Sequence, residues 1–286
     1  MPSNSDQRPI VQSLQEYGRG IAGGLLFSFP LLYTMEVWWT GFIASPFQLI
    51  LVIVFTFGLL LGYNRFAGMH PEASWQDVVV DSVEELGIGF LLSLALLIML
   101  RRVDFHEMSI QEIMGKVVLE AMVISIGVSV GTAQLGMDNT GTSEAGDGKA
   151  LKKERQAGLA SLLVLGLCGS VLIGGNVAPT EEVLVIGVES NPGHILAMAL
   201  VSLALSVLIL FYSDFEGSRT KNYQANFFTI AQQTCVCYLV ALSSSALLLW
   251  FFGRLDGASL WTGFAQTVTL GVLCSLGTSA GRLIIN

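Results

Sequence analysis

A chain of 286 residues that is 52% hydrophobic and only 13% charged, with a mean hydropathy of +0.65, lacks the polar surface a soluble domain needs. The composition specifies a polytopic membrane protein. Its net charge of −8, with one short basic cluster at positions 149–155, argues against nucleic acid as a partner.

The first 18 residues are polar and lack the basic-then-apolar layout of a cleavable signal, so the first spanning helix is expected to act as the targeting element. A span needs about 20 apolar residues, and eight segments meet that criterion. The first, 20–43, ends in Trp38-Trp39, aromatic residues suited to a lipid–water interface. The second covers 46–63, the third 78–100 up to Arg101-Arg102, and the fourth 113–135. A polar stretch at 136–156, rich in Gly, Ser, Thr, Asp and Lys, cannot bury a core and reads as a linker. The fifth segment, 157–188, runs past Pro179, and 192–212, 226–252 and 260–285 complete the set. The expected fold is all-α, with a tail at 1–19, a first four-helix repeat at 20–135, the linker, and a second repeat at 157–286.

The repeat is read from the residues themselves. Thr34-Met35-Glu36-Val37 returns 146 positions later as Thr180-Glu181-Glu182-Val183. At that offset Gly20 meets Gly166, Gly23 meets Gly169, Leu26 meets Leu172, Gly41 meets Gly187 and Pro46 meets Pro192. With small insertions Tyr63, Phe66 and Gly68 align with Tyr212, Phe215 and Gly217, and Arg102 and Asp104 with Arg254 and Asp256. Ser125, Gly127, Ser129 and Gly131 align with Ser275, Gly277, Ser279 and Gly281. An even number of spans per half makes the repeats parallel, related by an axis along the membrane normal. Ten of the 14 basic residues fall on one side, which places both termini in the cytoplasm of a bacterial inner membrane.

A carboxylate at membrane depth costs roughly 3 kcal/mol on insertion scales, so intramembrane acids are the candidate functional residues. Glu36 and Glu182, with Glu181 beside it, are the expected ion-binding ligands. A nearby proline, Pro30 or Pro179, removes a backbone donor and frees a carbonyl one turn back. Carboxylates and freed carbonyls in a broken helix suit hard cations such as Ca²⁺, Na⁺ or H⁺. The competing reading is a pair of protonated carboxyls bonding helix to helix, worth about 0.6 kcal/mol each. A helix ending near Ala178 would instead leave Glu181 and Glu182 at the outer surface.

Asp77, Asp81, Glu84 and Glu85 share one face of the third span. The first two sit where the helix dipole and water favour acids; Asp81, Glu84 and Glu85, with Glu120 in the fourth span, form an expected ion path. Lys116, one turn before Glu120, is positioned to pair with it. The residues aligned with Glu84, Glu85 and Glu120 are Val236, Cys237 and Leu270, so these acids belong to the first half alone. Gly127-x-x-x-Gly131 and Gly277-x-x-x-Gly281 are close-packing patterns, expected to join either the two halves or two subunits of a homo-oligomer.

No cofactor is expected. The four cysteines lie in apolar runs, where they behave as small hydrophobes. The three histidines lie in or beside loops, away from the spacing that haem or zinc needs. There is no mid-span lysine for a Schiff base, no arginine ladder and no phosphate loop. An enzyme would have to work through paired carboxylates such as Glu181-Glu182, the weakest of the readings.

The run Phe29-Pro30-Leu31-Leu32-Tyr33-Thr34-Met35-Glu36-Val37-Trp38-Trp39, with Ala178-Pro179-Thr180-Glu181-Glu182, resembles a family of bacterial integral membrane proteins of unassigned function. Lys116-Val117-Val118-Leu119-Glu120-Ala121 and Asp81-Ser82-Val83-Glu84-Glu85-Leu86-Gly87 fit it too, over most of the chain apart from the tail and the linker. The resemblance implies no activity and carries no site residues. From the residues alone the expectation is a cation channel or cation/proton exchanger, with the lipid bilayer and an inorganic cation as partners. The alternative is a non-transporting scaffold or sensor whose acids are structural or face a partner.

Overall fold

Proline and capping residues punctuate the apolar runs, and the helices follow them. In the computed structural model, residues 10–68, 74–134, 159–217 and 227–283 are described, and their secondary structure is helical, without strands. The first half forms α1 (Ile10–Leu32), α2 (Met35–Ile43), α3 (Pro46–Ala67), α4 (Trp75–Met99) and α5 (Ile110–Gln134). The second forms α6 (Leu159–Gly174), α7 (Glu181–Glu189), α8 (Pro192–Gly217), α9 (Phe227–Phe251) and α10 (Leu260–Leu283). Ser45 and Ser74 open α3 and α4 as capping boxes with Gln48 and Asp77, each worth about 1 kcal/mol. The expected linker at 136–156 and the first nine residues lie outside the described residues.

Among the described residues six helices, α3, α4, α5, α8, α9 and α10, are long and apolar enough to cross a bilayer. The expected first and fifth segments are not single helices. α1 and α2 together pass the same test, but they meet at an angle of 86°. α6 is a shorter apolar helix of 16 residues, separated from α7 by the turn at 175–180. Pro30 removes a ladder donor near the end of α1, and the chain turns at Tyr33–Thr34 with Thr34 N–H on Leu31 C=O (2.9 Å) and Thr34 Oγ1 on Pro30 C=O (2.7 Å). In the second half Gly174-Gly175 and Pro179 end the helix, because the residue before a proline is driven out of the α region.

α5 is almost wholly buried and is wrapped by α1, α2, α3 and α4; α6, α7, α8 and α9 pack in the same way on α10. The glycine patterns explain how. Gly23 of α1 lies against Gly127 and Gly131 of α5, and Gly169 of α6 against Gly277 and Gly281 of α10. A Cβ on Gly23 would sit 2.5 Å from Gly127 O and Gly131 Cα. The close-packing glycines therefore join helices within each half, not the halves or two subunits. Gly41 likewise abuts the Lys116 backbone and Gly187 the Gln266 backbone. Ser93 Oγ donates to Val117 C=O (2.9 Å), and Ser245 Oγ to Thr267 C=O (2.8 Å).

Burial fixes the register of α3 and α8. Leu49, Thr56 and Leu60 are buried, and so are Ile195, Ser202 and Ser206, each 146 positions on. The offset of Pro46 and Pro192 therefore holds along both helices. Matching Tyr63 to Tyr212 instead would insert three residues and turn the buried face by about 60°.

The halves meet through α6, which packs on α3 and α5; among the described residues α1 makes no comparable packing on α8 or α10.

Candidate functional site: a buried acid cluster and two helix breaks

Adjacent residues on a helix point about 100° apart, and this separates Glu84 from Glu85. Glu84 is exposed, whereas Glu85 turns inward and is buried. Asn64, near the end of α3, donates from Nδ2 to Glu85 Oε2 (2.7 Å) and lies 3.1 Å from Ser82 Oγ. Ser129 Oγ of α5 donates to Asn64 Oδ1 (3.0 Å), and Ser82 Oγ donates to Val78 C=O (2.7 Å). Three helices thus bring a carboxylate, an amide and two hydroxyls together. Glu85 stands ten residues into α4, about 15 Å along it. Among the described residues no basic group forms an ion pair with it.

Glu120 is fully buried on α5, and neither of its oxygens has a hydrogen-bond partner among the described residues. The expected pairing with Lys116 is replaced by another. Lys116 Nζ binds Glu112 Oε1 at 3.0 Å and donates to Arg102 C=O at 3.3 Å. Both glutamates are one turn from Lys116, and the partner toward the helix start is the one the loop carbonyl allows the ammonium to reach. Asp81 is partly buried on α4.

Glu36 lies in the first turn of α2, partly buried; Glu181 and Glu182 lie in the first turn of α7, exposed. The backbone N–H at the start of α7 holds the Glu182 carboxyl below its ordinary value, helped by Thr180. Among the described residues no three His, Cys, Asp or Glu side chains group as metal ligands. The loop arginines reach these short helices in both halves. Arg102 stacks over the Trp38 ring at 3.9 Å, and Arg254 donates to Pro179 C=O.

One side chain ties the breaks together. Asn176, in the turn after α6, accepts from Leu31 N–H (3.0 Å) and donates to Phe27 C=O (2.9 Å) and Leu172 C=O (2.7 Å). Its amide occupies the place of the Leu31-to-Phe27 bond of α1, an insertion of the kind that kinks helices. Asn64, Ser129 and Asn176 were not picked out as site residues by sequence. The available signal was an amide standing alone in an apolar run, at 64 and again at 176.

Spanning-length apolar helices with carboxylates sealed among them define a polytopic integral membrane protein. The chain belongs to the family described as "Putative integral membrane protein (DUF2391)", which covers residues 16–285. No curated protein and no solved structure matches it.

Proposed function

We propose that this protein moves a small cation or a proton across the bacterial inner membrane, as a channel or a cation/proton exchanger, through the buried acids of its first half. Glu85, held by Asn64 and joined through it to Ser129, is the observation that carries the reading. A carboxylate sealed among apolar helices, with no basic partner among the described residues, must be neutralised by a proton or a cation, because an uncompensated buried charge is too costly. The Asn64 amide turns its N–H to this carboxylate and its oxygen to Ser129 Oγ, so the carboxylate itself is the oxygen ligand on offer, suited to H⁺ or to a hard cation such as Na⁺ or Ca²⁺. Glu120, with no partner for either oxygen among the described residues, is a second neutralisable acid on the adjoining helix.

In this reading the chain consists of two parallel four-span repeats with both termini cytoplasmic. α1 and α6 are the first spans of each repeat, and α2 and α7 lie along the outer face. The residue-for-residue match of Gly23–Gly127 with Gly169–Gly277 supports the repeat, and the Trp38-Trp39 pair suits α2 to an interface. Glu36, Glu181 and Glu182 then stand at the outer mouth, where acids raise the local cation concentration. Exposure of Glu181 and Glu182 also suits the second reading, a scaffold whose acids face a partner. Purified protein in dye-loaded liposomes, tested with Ca²⁺, Na⁺, K⁺ and a pH step, separates the two. Transport predicts flux of at least one of these, and flux of none supports the scaffold.

A further inference from the structure

The two halves of this chain touch through unlike faces, and each half has both faces. α6 of the second half packs on α3 of the first: Val164 fills the space in front of Gly62, and Cys168 Sγ lies 3.6 Å from Leu59 C=O. At the repeat offset the α6 face corresponds to Gly18 and Ala22 on α1, and the α3 face to Leu205 and Leu208 on α8. These counterparts do not meet within the chain. Leu172 is 4% exposed but its counterpart Leu26 is 71% exposed, and Phe29 and Tyr33 continue the same open stripe. On α8, Val201 and Leu208 are each 50% exposed where α3 presents the partly buried Phe55 and Gly62.

Exposed apolar side chains on spanning helices by themselves only face lipid. What identifies a partner is reciprocity. A head-to-tail contact leaves one unused copy of each face at its two ends, and repetition of that contact closes into a ring when the rotation allows. The residue sizes are exchanged to match. Inside the chain a valine on the α6 face meets a glycine on α3. On the free faces the glycine is on α1, with no described residue within 4 Å of the place its Cβ would take, and the large residue, Leu208, is on α8. Bump and recess are swapped, and the fit is kept.

We infer that a second copy of this chain docks head-to-tail, α1 of one subunit on α8 of the next, so that two chains can close four half-units into a ring. This rests on the repeat reading of the two halves but not on transport.

The test is cross-linking between subunits in membranes. Cys235, the exposed native thiol, is replaced by alanine, while Cys168, Cys237 and Cys274 are buried and can stay. Differently tagged copies carrying Gly18→Cys and Leu208→Cys are co-expressed and oxidised. The position corresponding to Val164 should then meet the one corresponding to Gly62, giving a cross-linked mixed dimer that carries both tags, with neither variant cross-linking alone. Mass measurement of the parent in lipid nanodiscs should give two or more copies. A monomer without mixed cross-links would overturn the inference, and so would Gly18→Cys self-linking as efficiently as the mixed pair, which is a head-to-head contact. The cross-link reads contact alone, so it can fail while ion flux stands, and the reverse.

Discussion

The two halves are packed alike and charged differently. α5 and α10 are each the helix around which four others wrap, with glycines at matched positions receiving α1 and α6, and serines of α4 and α9 reaching matched carbonyls. Yet where α4 and α5 bury Glu85 and Glu120, α9 and α10 bury Cys237 and Leu270. Packing alone therefore does not require the acids, since the same arrangement is built without them. Their presence in one half is a cost that stability does not explain, and it is there that function is to be sought.

The comparison can be broken most forcefully at the shared packing. Gly23→Ala and Gly169→Ala should each destabilise the protein by about 1–3 kcal/mol, because the added methyl meets backbone on the facing helix. Gly87→Ala, with no described residue near the added methyl, should cause no loss. Thermal melting in detergent checks all three, and unequal losses at 23 and 169 would count against equivalent halves.

A second substitution sharpens the charge difference. Glu120→Leu gives the first half the residue the second half has. Removing a buried carboxyl that has no partner among the described residues should raise stability by about 1–3 kcal/mol, while transport falls. Leu270→Glu should lose a similar amount, and a destabilised Glu120→Leu would mean that the carboxyl is satisfied in the folded state.

The ends of α4 and α9 supply a smaller test. Both turn through a residue of positive φ, Arg101 at 56° and Gly253 at 69°, with the same pair of closing backbone bonds. Arg101→Gly should gain about 1 kcal/mol, and Gly253→Ala should lose about as much. Equal melting temperatures for parent and variants would refute the shared cap.

The smallest effect concerns Glu182. Its carboxyl is held below the ordinary value of 4.5 by the start of α7. Its contribution to stability is therefore complete above that value and lost as the pH falls through the lowered one. Glu182→Gln should lower the melting temperature slightly near neutrality, with the difference vanishing once the pH falls below the lowered value. A difference that grows on acidification would reverse the sign.

Much of the architecture is legible in the chain, because apolar runs of spanning length, capping serines and prolines act locally. The break after Leu32 follows from Pro30, and the shortness of α6 from Gly174-Gly175 and Pro179. The site is less legible because it depends on rotation and long-range contact. Nothing local distinguishes Glu84 from Glu85 until α3 brings Asn64 to one of them. Lys116 has a glutamate one turn away on either side, and only the fold of the preceding loop selects Glu112. Asn176 gains its meaning from α1, almost 150 positions away in sequence.

The central claim is that the acid cluster of the first half handles a cation, and Glu85→Gln tests it most directly. The amide keeps the shape and the capacity to bond Asn64 but cannot carry the charge. Parent and variant would be reconstituted in liposomes at matched protein content, with folding checked by melting. Cation or proton flux is then recorded for both, beside Glu36→Gln and Glu182→Gln. The account predicts a folded Glu85→Gln variant with flux reduced to the protein-free background, and smaller losses for the two outer acids. A folded Glu85→Gln variant transporting at the parent's rate would contradict it.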